Sequence, residues 1–247
     1  MTATQTCSKL TPQQVRDYHD NGFMVLEHAL TTEEVTQLQS EAVAICRGDR
    51  GVLQGAVGDH THEDDDQVMQ QYLCIHFPHK ISQVALNAIK HPNIVGPLSQ
   101  VISPDVKCMQ SMLFIKASGK PGQAWHQDEY YIPTRDRSLT GAWIAMDDAT
   151  VENGCLWVIP GSHKHGILWP QHQHDDRRFD CAGEAGGYPY TDDDAIPALL
   201  LEEVGRPGPG AARLAGPGLA EAPLGADEAE AEGVPAVGVA LALGAIE

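Results

Sequence analysis

The stretch Ala124-Trp125-His126-Gln127-Asp128-Glu129-Tyr130-Tyr131 carries two potential metal ligands, His126 and Asp128, separated by one residue. We interpret it as a β-strand, in which side chains at i and i+2 share a face and their Cα atoms lie about 7 Å apart. An imidazole nitrogen and a carboxylate oxygen could then bind one metal ion. One more histidine on a facing strand would complete the 2-His-1-carboxylate triad of non-haem Fe(II) oxygenases. The alternative is an ordinary strand, and an isolated His-x-Asp is more often just that.

The segments around this stretch predict helices first and short strands afterwards. Thr11 with Gln14, and Thr31 with Glu34, form capping boxes that open two helices. Further helices are expected over 81–89 and 93–102. Alternating or continuous apolar residues predict strands, at 106–116, 139–146 and 155–159. This order predicts an α+β fold with a β-sandwich or barrel core.

Composition excludes several classes of protein. The formal net charge of -18 argues against nucleic-acid binding, which usually requires a basic surface. The sequence predicts neither a signal peptide nor a membrane span, and its six scattered cysteines predict reduced thiols. We therefore expect a cytoplasmic protein without membrane contacts; its oligomeric state is not predicted. The acidic runs 64–66 and 192–194, and the segment with His60 and His62, are expected to be solvated loops.

Three motifs together carry a resemblance to a known family. Trp125-His126-Gln127-Asp128, then Gly141-Ala142-Trp143-Ile144-Ala145, then the run from Glu152-Asn153-Gly154 to Pro160-Gly161-Ser162-His163 resemble the phytanoyl-CoA dioxygenase family in order and spacing. The opening 18–25 also matches, and the resemblance covers roughly 10–197. It implies a double-stranded β-helix, or jelly roll, flanked by N-terminal helices.

The resemblance also implies a chemistry. It implies Fe(II), 2-oxoglutarate as cosubstrate and O2, with a small molecule as the hydroxylated substrate. His126 and Asp128 match the first two iron ligands, and Met112 and Trp143 match positions lining the 2-oxoglutarate pocket. Gln127, between the ligands, is a candidate contact to the cosubstrate. Without the resemblance, Met112 and Trp143 are as well explained by core packing.

The end of the chain departs from the family pattern. The family has a second ligand histidine late in the chain and an arginine about ten residues later, but here the last His is His174 and the last Arg is Arg213. From Ala198 onward, 46 of the 50 residues are Ala, Gly, Pro, Leu, Glu or Val. We therefore predict an incomplete jelly-roll domain over 1–197 and a disordered low-complexity tail over 198–247. A frameshift in GC-rich DNA or a genuine low-complexity tail would each account for this composition.

Three functions remain open at this point. The first is an Fe(II) and 2-oxoglutarate dependent dioxygenase, inactive as written if the distal His and Arg are truly missing. The second is a non-catalytic jelly-roll binding protein. The third is a zinc or other metal site that combines His126 and Asp128 with one histidine of 163–174. For His163 itself, a hydrogen bond that fixes the turn after a strand is the favoured role.

Overall fold

Most of the described helices lie in the N-terminal half of the protein. The structure, a computed structural model, describes residues 9–51, 63–117, 119–151, 154–165, 170–173, 175, 183–185, 192–197, 212–215, 221–223 and 236–245. The α-helices are α1 Pro12–Asn21, α2 Thr32–Cys46, α3 Asp65–Gln70, α4 Gln83–Ile89, α5 Pro92–Val101 and α6 Asp128–Tyr131. Short 3-10 helices lie at Pro78–Lys80, Ser162–His165 and Asp192–Asp194.

The two predicted capping boxes are present. Thr11 accepts a hydrogen bond from the backbone of Gln14, and Thr31 accepts one from Glu34. The acidic run 64–66 differs from the expected loop, because the Asp64 side chain caps α3. Acidic side chains at a helix N-terminus satisfy free N–H groups and interact favourably with the helix dipole. His60 and His62 lie outside the described residues.

The strands form one large sheet and two small ones. They are β1 Phe23–Leu26, β2 Cys74–His76, β3 Val106–Lys116, β4 Thr140–Ala145, β5 Leu156–Val158, β6 Gln171–Gln173, β7 Gly183–Ala185, β8 Ile196–Pro197, β9 Ala212–Ala215, β10 Glu221–Pro223 and β11 Ala236–Ala245. The large sheet has the order β1-β9-β4-β11-β3-β2, and the small sheets have the orders β10-β5-β8 and β6-β7. All pairs of neighbouring strands among these described strands are antiparallel.

One face of the large sheet packs against the helices. The main hydrophobic cluster joins Leu113, Ile115 and Ile144 of the sheet to Leu38 of α2 and Leu98 of α5. Because side chains alternate along a strand, Met112 on β3 and Trp143 on β4 belong to the opposite face. One face of the sheet therefore packs in the hydrophobic core, and the opposite face can line a binding site.

A buried tyrosine fixes α1 to the start of β4. The Tyr18 hydroxyl lies 3.3 Å from the hydroxyl of Thr140. Burial raises the pKa of Tyr18 to about 12, so the phenol stays protonated and remains a hydrogen-bond donor at neutral pH. Cys46 and Cys155 are buried thiols that form no disulfide, and burial raises the pKa of Cys46 to about 12. For these two cysteines the structure agrees with the predicted reduced thiols.

The low-complexity segment differs from the expectation of a disordered tail in three places. Residues 212–215, 221–223 and 236–245 are strands that pair with strands of the preceding part of the chain. β11 lies between β3 and β4 and is hydrogen-bonded to both. Small and branched apolar residues alternate along its sequence, a pattern that a strand accepts. The motifs Pro207-Gly208-Pro209-Gly210 and Gly216-Pro217-Gly218 lie outside the described residues.

Among the helices that the structure describes, none is both long enough and apolar enough to cross a membrane.

Removing residues 198–247 should unfold the large sheet. Without β11, strands β3 and β4 lose their shared partner and expose two unpaired edges, which promotes aggregation. We expect a chain ending at Pro197 to lack cooperative thermal unfolding by circular dichroism and to elute as aggregate in size-exclusion chromatography. A chain ending at Ala245 keeps every described strand and serves as the control. Cooperative unfolding of the shorter chain at the control's Tm would contradict the placement of β11.

Candidate metal centre

His126 and Asp128 do not lie on a strand, so that premise is wrong. His126 makes a single isolated bridge, and Asp128 is the first residue of the one-turn helix α6. The two functional groups nevertheless meet, because His126 Nε2 lies 3.4 Å from Asp128 Oδ1. The turn into α6, rather than strand alternation, brings the imidazole and the carboxylate together.

The orientation of His126 is set by the backbone. Its Nδ1–H donates a 2.8 Å hydrogen bond to the carbonyl of Ala124, and the residue is only 8% exposed. With the proton on Nδ1, the neutral imidazole has its lone pair on Nε2, the atom that faces Asp128. A backbone carbonyl that fixes the tautomer in this way is typical of metal-binding histidines.

The separation of the two groups fits neighbouring ligands on one ion. Ligand atoms with bonds of about 2.1 Å, at adjacent corners of an octahedron, lie about 3 Å apart. The observed 3.4 Å is close to this value. However, no group of three His, Cys, Asp or Glu side chains suited to a metal occurs among the described residues. These residues therefore fit two positions of a metal centre and leave the third unassigned.

Asp128 lies over the free face of the large sheet. A methyl carbon added to Gly141 of β4 would come within 3.2 Å of Asp128 Oδ2. Gly141 alternates with the buried Ala142, so it shares the face of Trp143. No pattern in the sequence assigns Gly141 a role, because only the position of Asp128 in space reveals the contact.

Met112 and Trp143 lie on this same face and in the same row. Both are Cα partners of Ala240 on β11, one on each side. Their Cα atoms are thus separated by two strand spacings, about 10 Å. Trp143 and Trp157 both pack against the small cluster of Ala149 and Cys155. The structure brings both residues to the face beneath Asp128, whereas their proposed contact with a cosubstrate stays a prediction.

Gln127 and Glu129 flank Asp128 and are both buried. Gln127 is 1% exposed and precedes the first residue of α6. Glu129 is 2% exposed, and its carboxylate accepts hydrogen bonds from the backbone and hydroxyl of Thr134 and from the backbone of Leu139. An acidic residue in a polar stretch gives no sequence signal for such burial, so sequence reasoning missed Glu129.

Two tyrosine side chains lie beside the pair. The ring of Tyr131 lies edge-on to His126, with centroids 5.8 Å apart, and Tyr130 lies edge-on to Tyr131. Both tyrosines are about half exposed. The approach to His126 from solvent is therefore lined by aromatic rings.

His163 has the role that the sequence favoured. Its Nε2–H donates a 3.0 Å hydrogen bond to the carbonyl of His19, near the end of α1. Burial lowers the pKa of His163, so the ring is held neutral. The backbone of Gly161 donates to Asn21 in the same contact. His172 is exposed on β6, and His174 lies outside the described residues.

The amino-acid sequence is similar to those of known phytanoyl-CoA dioxygenases. The chain is 27% identical over 189 residues to the phytanoyl-CoA dioxygenase of Arabidopsis thaliana, covering 64% of this chain and 67% of that protein. It is 27% identical over 172 residues to the peroxisomal phytanoyl-CoA dioxygenase of Mus musculus, covering 65% of this chain and 49% of the relative. The chain thus spans about two thirds of the plant protein and about half of the peroxisomal one.

Solved structures share the fold. The apo form of EctD from S. alaskensis aligns with a TM-score of 0.69 at 18% identity, covering 99% of this chain and 80% of that chain. The epimerase SnoN, in complex with Fe3+, alpha ketoglutarate and nogalamycin RO, aligns with a TM-score of 0.66 at 14% identity, covering 94% of this chain and 82% of that one. The sequence profile described as phytanoyl-CoA dioxygenase matches residues 18–202, most of the chain. The chain therefore belongs to the phytanoyl-CoA dioxygenase family of oxygenases.

Proposed function

We propose that this protein is built as an Fe(II) and 2-oxoglutarate dependent dioxygenase that hydroxylates a small molecule, with His126 and Asp128 as metal ligands. The observation that carries the proposal is the 3.4 Å approach of His126 Nε2 to Asp128 Oδ1, with Nδ1 held by Ala124. Family membership supports the reaction class. The structures of SnoN and EctD that contain alpha ketoglutarate or 2-oxoglutarate support the cosubstrate.

In this proposal the large sheet and the sheet β10-β5-β8 are the two walls of a double-stranded β-helix. Met112 and Trp143 form the floor under the metal pair, and Gln127 contributes to the cosubstrate pocket. Met112 and Trp143 are supported in this role because they lie on the same face of the sheet. Gln127 is supported because it is buried and lies between the two ligands in the sequence. The wall of Tyr130 and Tyr131 borders the substrate entrance.

The chemistry that the metal and cosubstrate supply when bound is activation of O2 for hydroxylation of a substrate C–H bond. The protein's contribution is to orient and to exclude water. His126 is aligned by the Ala124 carbonyl, Asp128 is supported above β4, and the apolar face with Met112 and Trp143 keeps water from the reacting groups. The tyrosine rings narrow the path from solvent to His126.

The small number of described ligands at the site favours a second candidate function, that of a binding protein. Because the described residues offer only two ligands, the second candidate is a binding protein on an oxygenase fold, which keeps a small-molecule cavity without turnover. The two functions differ in iron dependence: the oxygenase forms succinate from 2-oxoglutarate only with Fe(II), and the binding protein forms none.

We further propose that residues 1–197 are the family domain and that the codons for 198–247 are read out of frame. The family match ends at residue 202, close to the change in composition. The test is to translate the gene beyond codon 197 in its other two frames. One of them should encode a histidine followed about ten residues later by an arginine, among aromatic and β-branched residues. If neither does, the low-complexity segment is genuine.

Replacing either His126 or Asp128 should abolish any metal-dependent activity of the chain. We expect His126→Ala and Asp128→Ala to lower Fe(II) affinity at least tenfold, since each removes one of two protein ligands. Anaerobic calorimetry with Fe(II) and succinate formation from 2-oxoglutarate measure the two effects. His172→Ala is the matched control, and a comparable loss in this variant would favour the metal site built with a histidine of 163–174. Equal binding by all variants would refute His126 and Asp128 as ligands.

Glu129 should be needed to hold the loop that follows the ligands. In Glu129→Gln the amide cannot accept from both Thr134 and Leu139, so at least one buried N–H loses its partner. We expect the free energy of unfolding to fall by about 1–3 kcal/mol, measured by urea denaturation. Asp136→Asn in the same loop changes an exposed carboxylate that accepts from Ser138, and it should alter stability little. Equal effects of the two substitutions would argue against this anchoring role.

A further inference from the structure

Gly141 occupies a position where glycine is otherwise unfavourable. It lies in β4, a central strand flanked by β9 and β11, and its Cα pairs with Ala215 and Ala242. Glycine weakens a strand interior because it has more freedom to lose and no side chain to pack. Its φ is not positive, so the backbone conformation does not require glycine. The reason for glycine at this position must therefore be space.

That space is taken by the Asp128 carboxylate. A β-carbon on residue 141 would lie 3.2 Å from Asp128 Oδ2, closer than such contacts normally come. The other oxygen, Oδ1, is the one that faces His126 Nε2 at 3.4 Å. The two oxygens belong to one rigid plane. A methyl group that pushes Oδ2 away from β4 by a few tenths of an ångström must therefore also turn Oδ1.

We propose that Gly141 is a positioning residue: it lets the Asp128 carboxylate rest directly on β4, which keeps Oδ1 directed at His126. The contact itself requires no metal, whereas its consequence for metal binding rests on the proposed function. Metal–ligand distances tolerate deviations of only about 0.2 Å, so a displacement of this size is sufficient to weaken a site.

The test is a double-mutant cycle in the metal-free protein, with Gly141→Ala made in the wild-type and in the Asp128→Ala background. With Asp128 truncated, alanine has room on β4, and we expect Gly141→Ala to raise Tm because it favours the strand. With Asp128 present, the same substitution should raise Tm by a smaller amount or lower it. A non-zero coupling of this sign is what a contact between the two residues produces. An identical Tm change in both backgrounds would overturn the proposal.

Metal affinity gives the second readout, which a merely structural role of Gly141 would not change. Calorimetry with Mn2+, an oxygen-stable substitute for Fe(II), should show binding about tenfold weaker for Gly141→Ala, although the variant remains folded by circular dichroism. Coupling in Tm with unchanged Mn2+ affinity would overturn the positioning role. If the wild-type protein bound no Mn2+, the proposed function would fail, while the cycle would still decide whether Gly141 orients Asp128.

Discussion

The two-sided pairing of β11 is the constraint on which the rest of the sheet depends. β3 comes before His126 and Asp128 in the chain and β4 after them, and the two strands are neighbours only through β11. This strand also sets the register that puts Met112 and Trp143 opposite the same residue, Ala240. The face beneath Asp128 is therefore assembled by a strand from the segment whose composition least resembles the family.

Local signals in the sequence were sufficient for most of the elements. The capping boxes at Thr11 and Thr31 begin their helices as predicted, because caps depend on groups within one turn. The strand β3 has the predicted bounds, 106–116, because alternation between polar and apolar residues needs no knowledge of the partner strand. For these elements the physical cause lies within a few residues of the sequence.

The failures have a common origin in contacts that the periodicity of the sequence does not encode. The stretch 124–131 was interpreted as a strand because of His-x-Asp spacing, yet its convergence comes from a backbone carbonyl and a helical turn. Glu129 and Gly141 gave no signal because their roles depend on residues 5 to 13 positions away. The alternation in 236–245 was masked by the surrounding Gly and Pro, although a sheet can pair any backbone without proline once its neighbours are in register.

Fold and chemistry make different demands on the end of the chain. Backbone hydrogen bonds hold β11 in the sheet, and these are available to Ala, Gly, Val and Leu alike. A metal ligand or an anion-binding group, in contrast, requires a particular side chain, and no His follows His174. A segment can therefore keep the strands of an oxygenase while losing the residues that complete its centre. This is the physical reason why family membership indicates the reaction class here, whereas the activity of this chain depends on the site itself.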